Sequence, residues 1–231
     1  MHKLAIGVIL TIFVVTMAYA SKPEADGAIS KDIVALYTPA YTKVLVLPMW
    51  DYTSDVSHQR VATAAIYERF VHEGFGVENI LTGFDLLSKD KNIEPGQPLR
   101  KADVLRIGKA AGVDWVAYGE VKELRVYEKE KIIGSGKKIL CSLRLCVADC
   151  HVDDVIFWAN RSDALGDTGF HATFSRRKSS RLIRVGLQSV SERILAELFA
   201  ALPKHETKGP LPNDQSLLDL EKSIWPDAIK E

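Results

Sequence analysis

Apolar residues recur along the chain with two periods, and the change from one to the other marks its elements. Residues 43–49 form a short, continuous apolar run, as in a strand buried on both faces, with Pro48 at the end where ladder pairing stops. Residues 50–55 read as a loop, in which Thr53, Ser54 and Asp55 are candidate helix caps. The period then lengthens: Val61, Ala64, Ala65, Tyr67, Phe70 and Val71 fall near three- and four-residue intervals, which predicts a one-sided helix ended by Gly74. Residues 75–82 read as a second strand, and strand, helix, strand makes a parallel crossover. Residues 85–97 hold a short helical turn and a loop. Pro98 opens the next helix, over 99–111, with Ala102, Leu105 and Ile107 toward the sheet.

The second half is strand-rich. Gly112 suits a left-handed helix end, and residues 113–130 then alternate with mixed character on both faces. Val113, Trp115, Ala117 and Gly119 share one face, and Asp114, Val116, Tyr118 and Glu120 the other, which predicts a central strand. Its charged end runs out to a turn at residues 134–136. Residues 138–147 return as a strand whose core face is Ile139, Cys141, Leu143, Leu145 and Val147. Residues 149–154 are a polar turn, and residues 155–159 a further antiparallel strand. After a loop over 160–180, Ile183, Leu187, Val190, Ile194 and Leu198 step by four, three, four and four residues, the pattern of an amphipathic helix. The expected class is α/β (α+β): a three-layer-type domain with a mixed sheet, order β-α-β-α-β-β-β-α, and helices packed on it.

Residues 1–20 read as an export signal, with Lys3 at its start, an apolar run from Leu4 to Met17, and the small-x-small end Ala18-Tyr19-Ala20. Cleavage there gives a periplasmic protein. Without cleavage, the 17-residue run 4–20 is the alternative of an N-terminal anchor in the inner membrane. No cysteine stands near the cleavage site, so there is no lipobox. The expected organisation is then a leader over 21–42, one α/β domain over 43–202, and a proline-containing flexible tail over 203–231. Thirty basic and thirty acidic residues balance to zero net charge, which argues against a nucleic-acid partner. The three cysteines, Cys141, Cys146 and Cys150, are too few for a disulfide framework.

The opening strand at Lys43, the segment Gly112-Val113-Asp114-Trp115-Val116-Ala117-Tyr118-Gly119-Glu120, and the run 143–149 leading through a turn to Phe157 and Trp158 carry a resemblance. In order and spacing over residues 40–202 they resemble the α/β domain shared by the curli-secretion protein CsgG, the lipoprotein LpoB and the N-terminal domain of TolB. The chain departs from that pattern in lacking the lipobox cysteine and in carrying Asp153-Asp154 where a Thr-Gly turn is usual. The resemblance implies a non-catalytic envelope component that works through protein contacts in assembly, secretion or regulation.

Two chemistries compete for the site. Cys146, Cys150 and His151 are spaced almost as in a haem-attachment motif, and with Cys141 they offer a zinc donor set, so a metal- or haem-binding enzyme using Cys146, Asp149, His151, Asp153 and Asp154 is the alternative function. Strand alternation places Cys141 and Cys146 on opposite faces, and the plainer reading is buried strand cysteines with a local bridge between Cys146 and Cys150. The chain carries no serine-hydrolase, zinc-protease or phosphate-loop motif, so no catalytic, cofactor or metal residue is assigned. Asp114 and Glu120 read as structural carboxylates, Glu120 beside a cation. The partner-binding candidates are the basic run Arg176, Arg177, Lys178 and Arg181, and the aromatic loop residues Trp50 and Tyr52. The basic run suits an acidic protein face, peptidoglycan carboxylates or an anionic membrane surface. The expected partners are envelope proteins or further copies of the chain, with no small-molecule substrate.

Overall fold

The computed structural model describes residues 26–52, 56–93, 97–130, 135–166 and 176–203. One mixed sheet runs through it. In chain order its strands are β1 (Asp26–Ile29), β2 (Lys43–Val46), β3 (Trp50–Asp51), β4 (Gly76–Val77), β5 (Trp115–Glu130), β6 (Ser135–Asp149) and β7 (Asp154–Gly166). Across the sheet they lie β1-β7-β6-β5-β2-β4, with β3 added to β5 further along. The helices are α1 (Lys31–Val34), α2 (Val56–His72), α3 (Ile80–Lys89), α4 (Lys101–Ala111) and α5 (Arg176–Phe199). β2 runs parallel to β4 and β5, whereas β5, β6 and β7 form an antiparallel meander. β5 is therefore the central strand expected at residues 113–130.

Two cores separate the layers. On one face α2 and α5 bring Val61, Ile66, Phe70, Leu187, Val190, Ile194 and Leu198 onto Trp115, Ala117, Leu143, Leu145 and Val147. On the other, α4 brings Val104, Leu105 and Ile107 onto Leu45, Leu47, Val116 and Ala148. Full burial of one such aliphatic side chain contributes about 1.5–3 kcal/mol. Gly108 lets α4 sit this close: a Cβ there would lie 2.4 Å from Val116 Cγ2 and 2.5 Å from Cys150 Sγ. α4 ends on Gly112 at φ 67°, the left-handed conformation expected of that glycine.

Several elements differ from expectation for identifiable reasons. The apolar run 43–49 does not stay one strand. Pro48 supplies no N–H, Met49 N bonds Thr63 Oγ1 at 3.0 Å instead, and the chain rejoins β5 as β3, so Trp50 and Asp51 are strand residues rather than loop. The strand expected over 75–82 shrinks to β4, because the Asn79 side chain accepts from Leu81 N at 2.9 Å and starts α3. On α4 it is Val104 and Gly108, not exposed Ala102, that join Leu105 and Ile107 against the sheet. The loop expected from residue 160 is strand as far as Gly166. Its inward positions there are charged: Arg161 bonds Glu197 of α5 at 2.8 and 2.5 Å, and Asp163 meets Ser189 at 3.1 Å and Arg193 at 3.4 Å. The segment read as a leader contributes β1, paired with β7 from Asp26↔Asn160 to Ile29↔Phe157. Of the turn expected at 134–136, Ser135 and Gly136 are already β6, paired with Glu130 and Lys129; Gly134, the caps expected at residues 53–55 and the tail beyond Pro203 lie outside the described residues.

Candidate binding face of the sheet

The strands of the meander are longer than α4 is wide, so their second face continues past it. Register places Trp158, Cys146 and Tyr118 in one cross-strand row and Asn160, Arg144 and Glu120 in the next, with Trp50 of β3 beside Glu120. Ser162 and Ser142 follow. Arg144, Trp158, Asn160, Ser142 and Ser162 are part-exposed and belong to neither core. The Arg144 guanidinium lies over the Trp158 ring, 5.6 Å from its centroid, and Trp50 meets Tyr52 edge-to-face at 6.4 Å. Tyr52 is 55% exposed.

Polar satisfaction fails along one row of this face. Six shielded side-chain polar atoms of the described residues lack a hydrogen-bond partner, and three of them, Trp50 Nε1, Arg144 Nε and Asn160 Oδ1, share the Glu120 row. Each such group costs about 1–3 kcal/mol. Glu120, directly across from Arg144, is turned to Lys122 at 3.7 Å, the cation pairing expected of it. Arg144 makes no ion pair among the described residues. The neighbouring Tyr118 phenol is pushed far up, first by burial and then by the Cys146 sulfur beside it.

The cluster proposed from sequence for catalysis sits at the end of the sheet and is spent on structure. Asp149, fully buried, accepts from His151 N at 2.8 Å and Val152 N at 3.2 Å, which closes the β6–β7 turn. Its second oxygen and Trp115 Nε1 fall short of hydrogen-bond geometry, but the Tyr37 hydroxyl lies beside both. Burial, then Asp149, drives the Tyr37 phenol far above its usual range. Asp114 ties three segments: one oxygen accepts from Lys43 N at 2.8 Å and the other meets His151 Nε2 at 2.7 Å. That contact raises the His151 pKa. Asp153, at φ 59°, and Asp154 pair with Lys109 at 2.5 Å and Lys101 at 2.7 Å on α4.

The thiols do not converge. Cys141 packs on the α5 face, Cys150 under α4, and Cys146 against Tyr118. All three are free and buried, so the bridge between Cys146 and Cys150 expected from the short spacing does not form; the two residues lie in different packing environments. Burial pushes Cys150 up to about 11 and Cys141 up to about 12. Thiols held in that form are poor nucleophiles and poor metal ligands. Among the described residues no group of three or more His, Cys, Asp or Glu side chains is arranged to hold a metal ion, and no helix is long and apolar enough to cross a membrane.

Of the partner-binding candidates, Trp50 and Tyr52 border the open face. Arg176, Arg177, Lys178 and Arg181 lie in the first turns of α5, and their side chains are outside the described residues. The open face itself was missed, because Trp158 reads as part of a buried apolar strand and Arg144 as an ordinary polar-face residue. The usable signal was Arg144 alternating with Ser142 and Cys146 against an apolar core face.

No protein-family model matches the chain, and no curated protein matches it. Among solved structures it is similar to a PelC dodecamer from Paraburkholderia phytofirmans, at 14% identity over 76% of this chain and 98% of that one, with a TM-score of 0.43. It is also similar to lipoprotein GNA1162 from Neisseria meningitidis, at 14% identity over 65% and 99%, with a TM-score of 0.44. A third similar structure is the LpoB C-terminal domain from Salmonella enterica, at 13% identity over 59% and 90%, with a TM-score of 0.36.

Proposed function

We propose that the chain is an exported, non-catalytic cell-envelope protein that acts by binding other proteins, and that the open face of the β5–β6–β7 meander is its principal contact surface. The observation that carries this is the row Trp50, Glu120, Arg144 and Asn160 with Trp158 beside it: two tryptophans and an arginine outside both cores, with three unpartnered polar atoms among them. Tryptophan, tyrosine and arginine are the residues that dominate protein–protein binding energy. The platform is rigid, because β5 and β6 pair over nearly their whole length. The basic run Arg176, Arg177, Lys178 and Arg181 is proposed as a second, charge-selective contact. An export signal over residues 1–20 and a periplasmic location belong to the same reading.

A photo-crosslinking side chain placed at Ser142 or Ser162 tests it, with Glu73, in the turn that follows α2, as the control position. In envelope fractions the two face positions should trap a discrete protein partner and Glu73 should not. Equal trapping from all three positions, or none from the face, would overturn the assignment.

A further inference from the structure

We infer that Arg144, laid on Trp158, is the seat for a carboxylate side chain of the protein partner, so that the face selects an acidic residue set among apolar ones; this rests on the open face being the contact surface. Four observations lead there. The guanidinium is stacked on an indole, which holds its plane; its Nε is shielded and the Cys146 sulfur lies beside it, so a carboxylate would be met by its terminal nitrogens. It carries a full charge with no ion-pair partner among the described residues, although Arg161 and Arg106 each have one. The carboxylate best placed to neutralise it, Glu120, is engaged by Lys122, and Glu123 is engaged by Arg125 at 3.0 Å. Finally, Arg144 Nε and Asn160 Oδ1, opposite one another in register, are a donor and an acceptor both lacking partners. Trp50 and Trp158 on either side fit apolar neighbours of the acidic residue.

Two of the groups involved are directly visible by NMR: the Arg144 Nε–H and the tryptophan Nε1–H resonances. The full-length protein is titrated with the blocked peptide acetyl-Ala-Leu-Glu-Leu-Ala-amide and with its counterpart carrying Gln in place of Glu. The acidic peptide should shift Arg144 Nε–H and the Trp158 Nε1–H saturably. The Gln peptide should bind about tenfold more weakly or worse, and added salt should weaken the acidic one. Arg144→Lys, which keeps the charge but not the fork, should lose most of the difference between the two peptides. Equal shifts from both peptides overturn the carboxylate assignment while leaving the face as a contact surface. Shifts confined to basic residues away from Arg144, or no shift in the wild-type protein, overturn it as well, and the crosslinking experiment then judges the face independently.

Discussion

Gly119→Ala perturbs the ladder at the point where the open face is built. A Cβ at residue 119 would lie 2.0 Å from the Arg144 carbonyl oxygen and 2.6 Å from Met49 Cε. The methionine end can swing aside, but the carbonyl belongs to the ladder between β5 and β6 and cannot move alone. Overpacking of this kind costs about 1–3 kcal/mol, and a fixed backbone atom puts it at the upper end. Replacing a strand glycine returns about 0.5–1 kcal/mol of chain entropy. The net expectation is a loss of about 2 kcal/mol, or a fall in Tm of about 4–8 °C for a chain of this size. Urea unfolding followed by tryptophan fluorescence measures it, since Trp115 is fully buried. Gly112→Ala is the control. At φ 67° with nothing within 4 Å of the new Cβ, it pays only the backbone strain of about 1–2 kcal/mol. Met49→Ala should not rescue Gly119→Ala, because the carbonyl contact remains. If Gly119→Ala were as stable as wild type, or fully rescued by Met49→Ala, the steric reasoning would fail.

Tyr37→Phe should destabilise the protein by about 1–3 kcal/mol, measured by the same unfolding titration, because it removes the hydroxyl beside buried Asp149 and Trp115 Nε1. The His151 contact gives a pH dependence of known sign. The folded pKa is raised by Asp114, so the contribution is fully present below the unfolded value of about 6.5 and is lost as pH rises through the folded one. With His151 64% exposed, solvent screening keeps it well under about 1 kcal/mol, and His151→Asn should flatten that part of the stability profile as pH rises above about 6.5. Reversing Arg176, Arg177 and Arg181 to Glu should change stability by no more than about 0.5 kcal/mol per site while weakening partner co-purification in a salt-sensitive way. Unchanged, salt-insensitive co-purification removes the basic run from the contact surface.

The parts of the fold legible in the sequence are those where burial follows one clean period. Leu187, Val190, Ile194 and Leu198 are all fully buried along one helix face, and Ile139, Cys141, Leu143, Leu145 and Val147 are all fully buried on one strand face. Gly112 read correctly because positive φ leaves few alternatives. What misled were local devices that override periodicity. Asn79 caps a helix inside a run that alternates like a strand, and Pro48 interrupts a run that is apolar throughout. Arg161 and Asp163 face inward because α5 supplies Glu197, Ser189 and Arg193 to receive them, so β7 hides behind a polar pattern. The aromatic candidates Trp50 and Tyr52 were found as a loop, but their neighbours on the face, Arg144 and Trp158, come from strands 94 and 108 residues later in the numbering. Only the register between β3, β5, β6 and β7 brings them together.

Asp114 joins chain segments 71 residues apart at Lys43 and 37 apart at His151. Neither contact can form until β2 has found β5 and the β6–β7 turn has closed, since each depends on loops whose entropy has already been lost. We expect the two bonds to form late in assembly, once both pairings are in place, which refolding and unfolding rates of Asp114→Ala would test. Interactions absent from the transition state govern how fast the native protein opens rather than how fast it folds. On that expectation Asp114 is a clasp on lifetime: its loss should shorten the residence of the folded state, while newly made chains should reach that state at nearly the same rate.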